Sequence, residues 1–406
     1  MDYTVKVLML SWEFPPLVTG GLGRHVAELA PALAQNGVEV HVVAPHVNPP
    51  HQREKLHPKL MVHWVDNAVV DPTADIYTRA VATNELLDAR ATELWDEFEG
   101  FDLIHAHDWL VGIAAIELKL RHKCPLVATI HATERGRWRN ATLPNQLSKN
   151  IDAVERNLTF EAWRVIACSR YMVSELKWLF ALPSDKLDMI PNGITMAQVD
   201  RFSPTELAIF RARYAPPDAP LIFSVGRLVY EKGFHVLLQA MPRVLKEFPA
   251  AKLVLAGKGP LAGELRTQAT ALGIAENVYF AGFISDDDRD RFFSVASCAV
   301  FPSLYEPFGI VALEAMKYGC PVVASDVGGL GEVVTHDETG TLIFSDDPES
   351  TAWGILHVLR DPAAAADRAA AARLMVARKY NWHRIARQTI EMVYRRVITE
   401  RAQTYW

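Results

Sequence analysis

The sequence predicts an α/β protein built as two Rossmann-like domains facing a cleft. Short apolar runs alternate with longer stretches of helical period along most of the 406 residues. That is the pattern of parallel strands joined by crossover helices. The alternation also starts twice, at Lys6 and again at Leu221, each time as strand, glycine-containing loop, helix and strand. A chain of this length is too long for one ordinary core, so two domains are expected, 1–195 and 196–383, with 384–406 as a crossing helix.

Composition narrows the class. Half the residues are apolar and 22% are charged, a soluble globular balance. A net charge of −6 argues against nucleic acid as partner, because neutralising phosphates needs a basic surface. No apolar run approaches the ~20 residues that span a bilayer. The N-terminus, Met1-Asp-Tyr-Thr-Val-Lys-Val7, has no basic segment leading into a signal-like stretch. Cys124, Cys168, Cys298 and Cys320 are scattered and form no CxxC pair, which speaks against zinc or disulfide frameworks and fits a reducing cytoplasm.

The first half opens with a strand at Lys6–Leu10 and a loop from Ser11 to Gly23, followed by a helix from about Arg24 to Asn36. Val26, Leu29, Ala30 and Leu33 form its buried stripe. Gly20 and Gly21 do not have the spacing of a dinucleotide fingerprint. They are either a plain turn or a turn that brings backbone N–H groups close to a phosphate. His46 to Pro58 reads as a polar surface loop, Trp64 to Val70 as a strand and Asp75 to Glu97 as mainly helical. Phe101-Asp-Leu-Ile-His-Ala-His-Asp108 is an apolar strand that ends in polar residues, and ligands of open parallel sheets bind beyond such ends. His-x-His-Asp invites a metal, but no further cluster at recognisable spacing completes a site, so no metal is expected. The next strand, Pro125–His131, also ends in a histidine and runs into a polar, basic loop. Two such ends in one half point to a cleft.

Residues 194–220 carry little periodicity and four prolines, and are read as including the linker. Strands follow at Leu221–Val225, Lys252–Ala256 and Val278–Ala281, the last ending at Gly282-Phe283. Arg227 and Lys232 lie in the loop after the first of these. Paired cations there would neutralise a diphosphate without a metal, unless Glu231 simply pairs with Lys232. Ser285-Asp-Asp-Asp288 resembles a metal-binding acid run but is better explained as a serine N-cap followed by first-turn acids. Residues 352–359 and 363–379 read as alanine-rich surface helices. Asn381-Trp382 marks a break, and the final helix from Arg384 turns Ile385, Ile390, Val393 and Val397 inward.

The stretch Glu306-Pro-Phe-Gly-Ile-Val-Ala-Leu-Glu314 carries the most chemistry. It reads as a helix beginning at Pro307, whose missing N–H costs nothing at a first helical position. The N–H groups of Phe308, Gly309, Ile310 and Val311 would then meet an anion. Eight helical steps would set Glu306 and Glu314 roughly 12 Å apart, enough for one acid to hold a sugar and the other a ribose.

With this stretch, a Gly-Arg-Leu-x3-Lys-Gly segment before it, the early glycine loop and the strand-end histidine in order, the chain resembles the retaining GT-B glycosyltransferases of families 4 and 5. The second of these holds the glycogen and starch synthases. The resemblance runs from Lys6 to about Trp382. It implies a hexosyltransferase with a nucleotide-sugar donor, ADP- or UDP-linked, and a carbohydrate acceptor, with no cofactor and no metal. By that resemblance His131, Arg227, Lys232 and Glu306 are catalytic. Gly20, Gly21, Gly282, Phe283, Phe308, Gly309, Ile310, Val311 and Glu314 bind the donor, and Glu13 and Asp108 the acceptor. It also implies that the last helix crosses back to the first domain.

One departure stands out. Bacterial glycogen synthases usually place a lysine before Thr-Gly-Gly, where this chain has Val18. That moves it toward family 4, while His105-Ala-His-Asp-Trp109 and His131-Ala-Thr-Glu134 resemble α-glucan synthase-like members. The expected reaction is transfer of a hexose, glucose first, to a sugar or α-glucan. Other readings are a family 4 enzyme acting on a lipid at the membrane face, with Arg135, Arg137, Arg139 and Trp138 as contact, or a GT-B epimerase or phosphorylase.

Overall fold

The computed structural model describes residues 4–18, 20–196 and 201–404. Two compact units divide them. One runs to Gly193 and resumes at Trp382, and the other spans Ile194–Asn381, so the boundaries lie slightly earlier than 195/196 and 383/384.

The first unit is an eight-stranded sheet. Its strands are β1 (Lys6–Leu10), β2 (Glu39–His46), β3 (Arg53–His57), β4 (Leu60–Asp66), β5 (Leu103–His107), β6 (Leu126–Ile130), β7 (Arg164–Ala167) and β8 (Leu187–Met189). They lie in the order β3-β4-β2-β1-β5-β6-β7-β8. All neighbours are parallel except β3, which pairs antiparallel with β4. The expected 46–58 loop therefore contains a strand. It is an exposed, charged edge strand, which blunts edge-to-edge pairing but leaves no apolar alternation to read. The strand order reverses between β1 and β5, so the loops after those strands flank the crevice where such sheets take ligands.

The second unit is a six-stranded parallel sheet of β9 (Leu221–Val225), β10 (Lys252–Ala256), β11 (Val278–Gly282), β12 (Cys298–Phe301), β13 (Val322–Ser325) and β14 (Thr341–Ile343). Its order, β11-β10-β9-β12-β13-β14, reverses between β9 and β12. The expected linker, 194–220, falls within the second unit and is only partly irregular among its described residues. Ser203 and Glu206 form a reciprocal capping box for a helix at Pro204–Ala212. Phe210 is its one buried residue, too little for a periodic signal. The expected surface helix near 352–359 is in fact Pro348–Arg360 and a core element. Ala352, Ile355, Leu356 and Val358 pack with the Phe234–Glu247 helix residues Leu237 and Met241.

The last segment completes the first unit. Helix Trp382–Gln388 passes through a π-helical stretch, Thr389–Tyr394, into helix Arg395–Ala402. Ile385, Ile390, Val393 and Val397 are buried with Val26, Leu29 and Leu33, as the inward stripe predicts. The π stretch carries the buried Tyr394, whose hydroxyl lies 2.7 Å from His105 Nδ1. Trp382 lies against Gly193, where a Cβ would fall 2.6 Å from the indole.

Truncating that indole should leave a cavity that Gly193 cannot fill. Trp382→Ala should destabilise the first unit by about 3–5 kcal/mol. Urea unfolding followed by circular dichroism tests this, and an unchanged first-unit transition would refute it.

Candidate active site

In the second unit, glycines set how closely the strand-end loops approach. The loop after β9 turns through Tyr230–Lys232 into Gly233, where φ is +67° and a Cβ would lie 1.9 Å from the Pro302 carbonyl oxygen after β12. At Gly257, after β10, φ is +139° and a Cβ would meet the Gly226 carbonyl at 1.8 Å. With this backbone contact, Lys232 Nζ reaches Glu306 Oε2 at 2.6 Å, with both side chains largely buried. Glu231 pairs with the half-exposed Arg227 at 3.5 Å, so it does not take up Lys232.

The Glu306–Glu314 stretch is less helical than its sequence suggests. The helix is Ile310–Lys317, Gly309 is its N-cap with φ +96°, and Pro307 and Phe308 precede it. The left-handed residue interrupts the path, so the eight-step helical separation of the two acids does not apply. A Cβ at Gly309 would also fall 2.6 Å from Leu330 Cδ2. Gly329, after β13, donates its N–H to the Glu306 carbonyl at 2.8 Å, which fixes Glu306. Ile310 and Val311 open the helix, where N–H groups lack a carbonyl one turn earlier. Glu314 is buried, with Arg289 Nε at 3.7 Å from its carboxylate. Arg289 also pairs with Asp286 at 2.6 Å and Asp290 at 3.1 Å. Sequence reasoning missed Arg289 because it directly follows the acid run, which is the serine-capped helix start expected there. Phe283 follows Gly282 at the end of β11 and is 68% exposed, with Lys258 Nζ at 5.5 Å from its ring centre.

In the first unit, the helix expected from Arg24 begins at Gly21 and runs to Gln35. Gly20 is its N-cap and donates its N–H to Glu13 Oε2 at 3.1 Å. Gly23 is therefore helical, and a Cβ there would lie 2.6 Å from that carboxylate, which explains the third glycine. Thr19 is outside the described residues. Across the reversal point, Asp108 directly follows β5 with φ +62° and ψ +176°, a strained region almost reserved for glycine. Its Oδ1 accepts the His131 backbone N–H at 2.6 Å. Burial raises the Asp108 carboxyl to about 7, opposed by backbone hydrogen bonds from His131 and Ala132. Burial also pushes the His131 imidazole down to about 3.

The basic loop after β6 is a pinned turn, Glu134–Arg137, capped by Thr133. Arg135 forms a two-point pair with Asp152 at 2.7 and 3.1 Å, and Trp138 Nε1 donates to Glu134 at 3.0 Å. These pairings engage part of the surface that the lipid reading required.

Sequence spacing also missed a third histidine. His107 Nδ1 lies 3.2 Å from His131 Nε2, and the His25 ring centre lies 4.7 Å from that of His131. His25 comes from the buried face of the first helix and is held by Asn192 Oδ1 at 2.6 Å. A histidine beside the Val26–Leu29 stripe was the available signal. The expectation that nothing joins His107 is thereby corrected, because three side chains able to ligate a metal converge.

Comparisons with known proteins agree across most of the chain. A model described as Glycosyltransferase Family 4 matches residues 19–198, and one described as Glycosyl transferases group 1 matches 207–375. An uncharacterised glycosyltransferase of Methanocaldococcus jannaschii is 36% identical over 392 residues, 96% of this chain and 97% of its own. A glycogen synthase of Mycobacterium tuberculosis is 35% identical over 399 residues, 96% and 94% of the two chains. The solved sucrose-phosphate synthase of Thermosynechococcus elongatus matches with TM-score 0.80 at 26% identity, covering 98% of this chain and 100% of that one. The two parallel-sheet units are thus those of a GT-B glycosyltransferase, glycogen synthase-like in type. The chain belongs to glycosyltransferase family 4. No helix among the described residues is long and apolar enough to cross a membrane.

The buried ionisable groups make opposite contributions to stability. Asp108 holds its proton more tightly folded than unfolded, so its contribution is present at low pH and lost as pH rises through about 7. His25, His105, His107 and His131 are all lowered by burial, so acid favours their unfolded, protonated forms. In metal-free buffer the first unit should lose thermal stability from about pH 7 to pH 5, and Asp108→Asn should lose it more steeply. Parallel melting-temperature profiles for the two proteins would contradict the raised carboxyl.

Proposed function

We propose that the chain is a retaining glycosyltransferase that moves a hexose, glucose first, from an ADP- or UDP-sugar to a sugar or α-glucan acceptor, without a metal. The observation that carries this is the Lys232–Glu306 pair at the reversal point of the second sheet, beside Arg227 and the helix start at Ile310. A diphosphate leaving group needs cations and aligned N–H groups, and both are available there. The glucan preference rests on the glycogen synthase relative and on an α-maltose-1-phosphate synthase of Mycolicibacterium smegmatis, 30% identical over 97% of this chain.

In this reading the bond from the sugar's anomeric carbon to the diphosphate breaks, and its electron pair leaves on the phosphate oxygen. The acceptor oxygen bonds to the same face, and its proton passes to the departing phosphate. Lys232 and Arg227 offset the charge that develops, and Glu306 and His131 hold the transferred sugar. Glu314 takes the ribose hydroxyls, Phe283 and Gly282 line the base, and the N–H groups of Ile310 and Val311 meet phosphate or sugar. The glycine turn at Gly20 and Gly21 also lies on the donor, and Glu13 and Asp108 orient the acceptor.

A donor screen by nucleotide release, run with glycogen, maltose, glucose 1-phosphate, inositol phosphate and lipid acceptors, tests the reading. Turnover confined to lipid acceptors would overturn the glucan assignment. Activity should persist in excess chelator, and a complete loss restored only by added metal would show that the cations do not suffice. Lys232→Ala should lower kcat about 10²–10³-fold, in the range for a lost transition-state charge contact. Glu314→Gln should weaken nucleoside diphosphate binding by about 1–3 kcal/mol. Arg289 keeps Asp286 and Asp290 in that variant. Glu306→Gln should chiefly lower kcat and leave diphosphate affinity nearly unchanged, because the diphosphate lacks the sugar. Calorimetry showing equal losses of diphosphate affinity in both glutamate variants would overturn the division of roles.

A further inference from the structure

We propose that His25, His107 and His131 form a binding site for one borderline-soft divalent cation, of which Zn²⁺ is the representative, and that occupying it blocks the sugar side of the enzyme. One nitrogen from each ring lies within 4.8 Å of the other two. A tetrahedral Zn²⁺ with bonds of about 2.0 Å holds its nitrogens roughly 3.3 Å apart. The His107 Nδ1 to His131 Nε2 separation, 3.2 Å, already matches, so only His25 has to close in.

Two further observations point to a ligand. His25 Nε2 is buried without a hydrogen-bond partner among the described residues. Unsatisfied buried polar atoms are rare and call for an explanation. The His25 tautomer is also set, because Nδ1 faces the Asn192 carbonyl oxygen at 2.6 Å and donates to it. Nε2 therefore keeps its lone pair, and a carbonyl behind the far nitrogen is the usual support of a metal-binding histidine. Asp108, whose Oδ1 accepts the His131 backbone N–H, supplies a carboxylate to offset the charge. His25 and His107 are fully covered while His131 is half-buried, so His131 marks the side of entry. Three imidazoles suit Zn²⁺, Ni²⁺ or Cu²⁺ and not Mg²⁺ or Ca²⁺. Such an ion would inhibit and would supply no chemistry to the transfer.

Metal-free protein titrated with Co²⁺ should develop the visible bands of a tetrahedral site at one equivalent. Zn²⁺ should displace that ion and Mg²⁺ should not. Anomalous diffraction at the zinc edge should place the ion among the three rings. His25→Ala should weaken Zn²⁺ binding at least tenfold, and His25→Gln serves as a second variant if alanine fails to fold. An anomalous peak only at surface groups such as Asp337, which pairs with His336 at 3.5 Å and His357 at 3.0 Å, or unchanged stoichiometric affinity in a folded His25 variant, would overturn the site. The inhibition alone rests on the proposed contact of His131 with the sugar. Zinc at the three rings with undiminished turnover would overturn that contact and leave the metal site standing, so the two failures are distinguishable.

Discussion

Close backbone contact between the loops after β9 and β12 is the constraint on which the donor half depends. The Pro302 carbonyl occupies the space that any side chain at Gly233 would need. That contact sets Lys232 beside Glu306 and lets the Glu231 carbonyl accept the N–H groups of Leu304 and Tyr305 at 2.8 and 3.3 Å. From there the order spreads. Gly329 bonds the Glu306 backbone, and Leu330 packs where Gly309 has no Cβ. Three loops from strands β9, β12 and β13 thereby hold one another, and the charged pair is placed by packing more than by its own attraction.

The first unit solves a similar problem with strain and burial. Asp108 adopts a backbone conformation costly for any residue with a side chain, and its carboxyl is spent on the His131 N–H. Around it lie four histidines, three of them buried, of which His105 is satisfied by Tyr394 and Thr129, both at 2.7 Å. The other three have nitrogens turned toward one another. Neutral imidazoles can be buried at modest cost, and their lone pairs are what a cation or a sugar hydroxyl would find.

Much of this was legible. Apolar strands bounded by glycine and proline gave both sheets, and the strand-end positions of Asp108, His131, Arg227 and Lys232 followed from the parallel-sheet rule. What escaped had physical reasons. Strand β3 and the Pro204–Ala212 helix bury almost nothing, so they carry little hydrophobic period. The start of the Ile310 helix was misjudged because Pro307 satisfies a first-turn preference, while the deciding fact, Leu330 pressed against Gly309, is a contact distant in sequence. His25 was hidden for the same reason, since Asn192, His107 and His131 lie far from it in sequence, and Arg289 because its partner Glu314 comes from the next helix.

The return of the chain to the first unit has a consequence for biosynthesis. Ile194–Asn381 is continuous and can assemble as soon as it leaves the ribosome. The earlier half cannot be completed then, because Trp382, Ile385, Tyr394 and Val397 belong to its core and follow the second unit in the chain. Until then the face formed by Val26, Leu29 and Leu33 lacks its cover. The domain begun before the second unit is closed only after it, and during that interval its helix Gly21–Gln35 carries an uncovered apolar face.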